Sequence, residues 1–450
     1  MMKNIDSKRV LSTVFVSLLI DLLGFTVILP LFPSLLDFYK RNDQGGLYTQ
    51  METMLTAFRK FIGVPEHEDV NSVLFGGMVG SLFSLLQFFN SPIFGAASDT
   101  YGRRSMILLS LCGSTVAYMI WAISDSFLLF IIARVVAGLS EANVSISTAV
   151  IADLPTAKDR SRGMALIGVA FSIGFVFGPL IGASFARSVE NTSEFYMTPA
   201  LFSIVITIFD IVFVACCLPE TLPASKRASS IAASIQEFCF LLNPASLFQF
   251  KAIQSVQNTK KEKSLKQLGA IYFLYLFLFS GLEFTLTFLA HRRFSFTRMD
   301  QGKMFALLGF IMALVQGGYI RRKMEGKEKQ LAIRGMTCLI PGFAIVGLST
   351  SSWMLYVGLT LFAFAAASVV PCLSSLTASH GLESEKGRVM GILRSLGALA
   401  RATGPICASA SYWLIGSRVT YVVGGILLVL PLLLLHRLQV HKSVTTQKAD

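Results

Sequence analysis

Stretches of about 20 apolar residues recur along the whole chain, and a stretch of that length crosses a bilayer as a helix, because no water is there to satisfy an open backbone. Of the 450 residues, 53% are hydrophobic and only 14% charged, and the mean hydropathy is +0.63. A window of about 19 residues places six spans before a polar middle, at roughly 10–37, 72–95, 105–123, 127–150, 163–186 and 197–218. Six more follow it, at roughly 267–290, 301–320, 331–349, 353–378, 387–413 and 418–436. The expected fold is an all-α membrane protein of twelve transmembrane helices. The first apolar run carries no small-residue cleavage site, so it is expected to stay as an anchor.

A net charge of +13 is what a nucleic-acid binder would show, but the basic residues sit in short loops between spans, where retention on the cytoplasmic side explains them. With both termini cytoplasmic, the loops on that side hold Arg103, Arg104, Lys158, Arg160, Arg162, Arg321, Arg322, Lys323, Lys327, Lys386 and Arg388. Three units follow: a six-helix bundle at 1–218, a basic cytoplasmic linker at 219–266, and a second bundle with a short tail at 267–450. In the linker Ile231, Ile235, Phe238, Leu241 and Leu242 recur at helical spacing, which predicts an amphipathic helix on the membrane surface. A second amphipathic stripe, Leu47, Met51, Met54, Leu55, Phe58 and Ile62, predicts a packing element or lid in the long external loop.

One boundary between spans is unusually short. Gly95-Ala-Ala-Ser-Asp99-Thr-Tyr-Gly102-Arg103-Arg104 closes one apolar run and opens the next, with glycines for a tight reversal and Asp99 able to cap a helix or pair with Arg103 or Arg104. The two halves also repeat. Met164 to Pro179 aligns without a gap on Met390 to Pro405, so the fifth span pairs with the eleventh, and Leu23-Gly24-Phe25-Thr26 matches Leu282-Glu283-Phe284-Thr285. Repeated halves of this kind build transporters whose substrate site lies near the midplane between them.

The segment Gly95 to Arg104 resembles the loop signature of the major facilitator superfamily. Leu23-Gly24 with Pro30 and Pro33, Arg134-Val-Val-Ala-Gly138, Gly174-Phe-Val-Phe-Gly178-Pro179-Leu-Ile-Gly182 and Pro219-Glu220-Thr221-Leu222-Pro223 resemble motifs of the first, fourth, fifth and sixth helices of its drug:proton antiporters. Thr100, where a basic residue is usual, and Ala183, where a glycine is usual, depart from the pattern. The resemblance covers about residues 10 to 436 and implies alternating access around a cavity lined by the first, fourth, seventh and tenth helices.

Charges inside spans are the place to look for chemistry, since an unpaired one is costly there. Asp21, Glu141 and Glu283 are candidates for carrying a proton. Arg134, which the resemblance assigns the fourth-helix basic role, lies seven residues before Glu141, so that the two share a helical face. Arg394 and Arg401 replace Gly168 and Phe175 of the other repeat. They lie seven residues apart on one face, and about 20 Å of helix separates Arg401 from Arg388. With Arg134 they are the candidates for an anionic substrate group, although Arg401 is equally able to neutralise Asp21 or Glu283. Asp210 is expected to be peripheral, satisfied by a tyrosine or the backbone. Gly95, Asp99, Gly102, Arg103, Arg104 and Asp153, beside Arg160 and Arg162, form the candidate cytoplasmic gate. Gly174, Gly178, Pro179, Gly182, Gly404 and Pro405 are expected to bend their helices at close interfaces.

The seven cysteines and five histidines lack metal spacing, and neither a disulfide framework, a metal site nor a cofactor is expected. Asn191-Thr-Ser is a glycosylation acceptor in an external loop. The expectation is a monomeric secondary transporter, not an enzyme, moving amphipathic organic anions or drugs by proton-coupled antiport through the plasma membrane or an internal one. A proton-independent uniporter or symporter, or a non-transporting receptor, is the alternative.

Overall fold

The computed structural model describes residues 6–28, 31–42, 46–61, 68–188, 196–227, 240, 242–251, 253, 260–296, 298–380 and 385–438. Its regular elements are helices. The first half carries α1 (Ser7–Thr26), α2 (Phe32–Arg41), α3 (Leu47–Phe61), α4 (Glu68–Tyr101), α5 (Arg103–Ala122) and α6 (Phe127–Ser140). It continues with α7 (Asn143–Ala152), α8 (Ala157–Ser188) and α9 (Met197–Cys217). The short α10 (Pro244–Phe248) leads to α11 (Lys260–Phe294), α12 (Arg298–Leu314) and α13 (Arg321–Lys323). The chain ends in α14 (Glu328–Leu348), α15 (Ser352–Ala378), α16 (Lys386–Leu414), α17 (Ser417–Leu427) and α18 (Val429–Arg437).

Ten helical stretches among the described residues are long and apolar enough to cross a membrane. The 34-residue α4 and 29-residue α16 have the length as well; α16 falls short in apolarity because it carries Lys386, Arg388, Arg394 and Arg401. These two pack against each other and join the halves, while α8 meets α12 and α15 across the same divide. On the outside of the bundle α9 presents Leu201, Val205, Ile208, Phe209 and Val212, all exposed, as a lipid-facing strip.

Local chemistry sets the helix ends. Asp6 caps α1 by accepting the Lys8 N–H at 3.0 Å, and Ser126 and Ser351 cap α6 and α15 in the same way. The first apolar run is not one helix, contrary to the expected span at 10–37. α1 stops at Thr26 and a new helix starts at Phe32 with Pro33 in its first turn, the position where a missing N–H costs nothing. The fourth span also departs from expectation: it is interrupted at Glu141 and Ala142, between α6 and α7. A π-turn at Val315–Ile320 widens the eighth span where the sequence runs Gly317-Gly318.

The amphipathic stripe that begins at Leu47 is helical, as α3. The linker stripe from Ile231 to Leu241, and Asn191, lie outside the described residues.

Candidate functional site

The tightest charged cluster stands where α4 turns into α5. Gly102, at φ +98°, is the one residue between the two helices, and a Cβ on it would strike the carboxylate of Glu220. That carboxylate does the capping that glycine cannot: it accepts the backbone N–H of Arg103 at 2.9 Å, of Arg104 at 3.2 Å and of Leu222 at 3.0 Å. Arg103, fully buried, then turns inward. Its Nη1 donates to Asp99 Oδ1 at 2.6 Å and to Ser98 Oγ at 2.7 Å, and its Nε donates to Asp153 Oδ2 at 3.0 Å. Thr221 donates to the same Asp153 oxygen at 3.2 Å.

This cluster reaches across to the second half. Asp99 accepts the N–H groups of Gly387 at 2.9 Å and Arg388 at 2.7 Å, at the positive end of the α16 dipole. Lys386 donates to the Ala152 carbonyl at 2.6 Å and stands 3.9 Å from Asp153. Ser161 donates to Glu328 at 2.7 Å. The approach is close because Gly95 faces Gly387 and Gly391, where a Cβ would meet backbone. The halves are thus sealed at this basic end, whereas α1 and α11 form no comparable packing.

Arg104 takes no part in the seal. Its side chain donates to the Ala215 carbonyl at the end of α9. Arg160 donates to the Leu154 and Pro155 carbonyls and not to Asp153.

Deeper in the bundle, Asp21 is 4% exposed and faces Asn143 of α7. Glu141, half-buried, has Asp21 and Arg394 as its charged neighbours. Arg134 does not pair with Glu141. The interruption of the span breaks the shared face, and the guanidinium instead lies 5.7 Å from the Trp121 ring centroid and 5.6 Å from that of Phe130, near Tyr118 and Tyr39. Asp210 is fully buried against α1 and accepts from Ser17 at 3.0 Å, so its partner is a serine and neither a tyrosine nor the backbone.

In the second half Glu283 is exposed, on the side of α11 that faces Arg401. Arg401 donates to Gln87 of α4 at 3.2 Å and is closest in charge to Glu283 and Arg394, away from Asp21. Because α16 is continuous, Arg394 and Arg401 do share a face.

The glycines act through close approach. A Cβ on Gly174 would meet Leu22 and one on Gly178 would meet Thr26, whose hydroxyl donates to the Gly174 carbonyl at 3.0 Å. Gly404 stands in the same relation to the Phe277 carbonyl of α11. The helices run unbroken through Pro179 and Pro405, and Gly182 is buried on α8. Sequence reasoning missed Glu220 as a cap, Lys386 and Gln87 as bridges between halves, and Ser110 at the interrupted span. Only Glu220 had a sequence signal, its place in Pro219-Glu220-Thr221.

A helical bundle with paired charges at one end and acids facing arginines at mid-depth is the architecture of a membrane transporter. Residues 14–405 match the Major Facilitator Superfamily, and the chain belongs to that family of multi-pass transporters, which are not enzymes. It is similar to the major facilitator superfamily domain-containing protein 10 of Mus musculus, 48% identical over 446 residues that cover 98% of this chain and 95% of that one. The solved structure of the human organic anion transporter MFSD10 (TETRAN) superposes with a TM-score of 0.92 at 46% identity, covering 96% of this chain and 99% of that one. The class C tetracycline resistance protein of Escherichia coli is 25% identical over 360 residues, 78% of this chain and 84% of that protein.

Proposed function

We propose that the chain carries amphipathic organic anions through the membrane by alternating access of two six-helix halves, twelve crossings in all, with both termini cytoplasmic and proton movement coupled to the cargo. One observation carries this reading: two arginines of a single helix, Arg394 and Arg401, face the half-buried Glu141 and the exposed Glu283, behind a sealed basic end. An arginine held in low dielectric is a natural partner for a carboxylate or sulfonate. Asp99, Arg103, Asp153 and Lys386 form the cytoplasmic gate in this reading, and Asp21, Glu141 and Glu283 hold the coupled proton. The human relative's description as an organic anion transporter agrees with it.

Antiport of drugs against protons is the second reading, favoured by the buried Asp21 and by the likeness to a tetracycline resistance protein. Uptake of anionic and cationic amphiphiles into proteoliposomes, with and without an imposed pH gradient, separates the readings. Arg401→Ala is expected to lose anion flux by about tenfold or more while leaving any cation flux in place. Anion flux that is indifferent to Arg401 refutes the first reading, and flux indifferent to the gradient refutes proton coupling.

A further inference from the structure

The fourth span does not cross as one rod. α6 ends at Ser140, Glu141 is extended at φ −72°, ψ 93°, and α7 begins at Asn143. Ser110 of α5 holds both sides of the break: its hydroxyl donates to the Ser140 carbonyl at 2.7 Å and accepts the Ala142 N–H at 3.1 Å. Gly113, on the same helix, leaves room for the Ser140 side chain. In a membrane such a break survives only where protein satisfies it, and the half-helix beyond it points a positive dipole end and free N–H groups at mid-depth.

No side chain caps the start of the ten-residue α7. The polar groups gathered there are buried and short of partners. Asn143, 1% exposed, turns its side-chain amide toward Asp21, and Ser145, 3% exposed, has no hydrogen-bond partner for Oγ. Arg394 comes from the other half, 9% exposed, with Nε likewise unpartnered, and it is the cation acting on Glu141. A helix start and a guanidinium from the other half thus meet at the break, where the negative groups are Glu141 and Asp21.

We infer that the break in the fourth span is the seat of the cargo's acidic group, a carboxylate, sulfonate or phosphate held between the start of α7 and Arg394, with Glu141 as the resident counter-charge when cargo is absent. This rests on the anion-carrier reading above. The groups facing Glu141 set the consequence. Asp21 comes from α1, Tyr118 from α5 and Arg394 from α16, while Arg134 of α6 reaches Tyr118 and Asp210 of α9 stands beside Asp21. With Glu141 ionised, an incoming anion must share Arg394 with it and is repelled by it. A proton on Glu141 removes the repulsion and frees the arginine. Anion and proton therefore favour each other's binding, the opposite of the competition that a cationic cargo would meet at the same acids.

The test is equilibrium binding of radiolabelled naphthalene-2-sulfonate, charged at every pH used, to the purified full-length protein at mildly acidic and neutral pH. Wild type is expected to bind more tightly in acid. Glu141→Gln is expected to bind about tenfold more tightly than wild type at neutral pH and to lose most of the pH dependence, and Arg394→Ala to bind about tenfold or more weakly at both. A gain in affinity cannot come from misfolding, so Glu141→Gln decides: no gain, or a pH dependence left intact, overturns the proposal, as does wild-type affinity in Arg394→Ala. A wild type that binds an amphipathic cation but no sulfonate overturns the anion-carrier reading itself.

Discussion

Replacing Asp99 with asparagine is expected to open the basic end. Asp99 accepts three hydrogen bonds, one from Arg103 at 2.6 Å and two from the Gly387 and Arg388 N–H groups at 2.9 and 2.7 Å, and the last two cross between the halves. The amide has the same shape but carries no charge, and one of its two terminal atoms becomes a donor that meets another donor. Hydrogen bonds to a charged acceptor contribute about 1.5–3 kcal/mol each. With one acceptor kept, the closed arrangement loses roughly 2–4 kcal/mol relative to one in which α16 has left α4. At about 1.4 kcal/mol per factor of ten, the closed-to-open ratio falls by roughly thirtyfold to several hundredfold. Arg103 keeps Asp153, so no buried cation is orphaned. Spin labels at the exposed Thr156 and Glu325, on opposite sides of the Ser161–Glu328 contact, read this as a longer distance in pulsed electron resonance. An unchanged distance distribution in Asp99→Asn would refute the claim that these bonds hold the end shut.

Two other outcomes follow from the same geometry. Glu220→Gln weakens three hydrogen bonds at the start of α5 and is expected to cost about 1–2 kcal/mol of stability, measured as an earlier thermal transition in detergent. Gly387→Ala sets a Cβ against Arg103, Ser98 and the Gly95 carbonyl. Overpacking of that kind costs about 1–3 kcal/mol, here only in the closed arrangement, so the same spin-label pair should report opening while the thermal transition moves little.

Some of this was legible in the chain and some was not, for physical reasons. A charge inside an apolar run is conspicuous because a bilayer makes it costly, and that exposed Asp21, Glu141, Glu283, Arg394 and Arg401. Gly95 to Arg104 was legible because a turn of one residue between two helices admits few solutions. The break at Glu141 was not: hydropathy runs on through it, no proline or glycine lies at Glu141 or Ala142, and the residue that holds it open is Ser110, more than twenty positions earlier. Periodicity alone therefore put Arg134 and Glu141 on one face. Gln87 and Lys386 were hidden for a related reason. Their roles exist only once α16 lies against α4, for Gln87, and against the end of α7, for Lys386, and nothing in these segments announces its partner.

In the reading proposed above, the placement of charge couples loading to gating. Mid-depth acids of the first half, Asp21, Glu141 and Asp210, outnumber those of the second, whereas α16 supplies Arg394 and Arg401, two of the three candidate arginines. The same helix gives its first N–H groups to Asp99 at the basic end, about 10 Å of helix from Arg394. A continuous helix cannot shift at one point and stay fixed at the other. When an anion or a proton changes what Arg394 faces, the force is delivered to a rod whose end is held by two hydrogen bonds at Asp99. Strengthening the pull at mid-depth and weakening the hold at the end are then two ways of biasing one motion. For that reason Asp99→Asn should alter cargo affinity from outside the site, while Arg394→Ala should alter the gate distance without touching the gate.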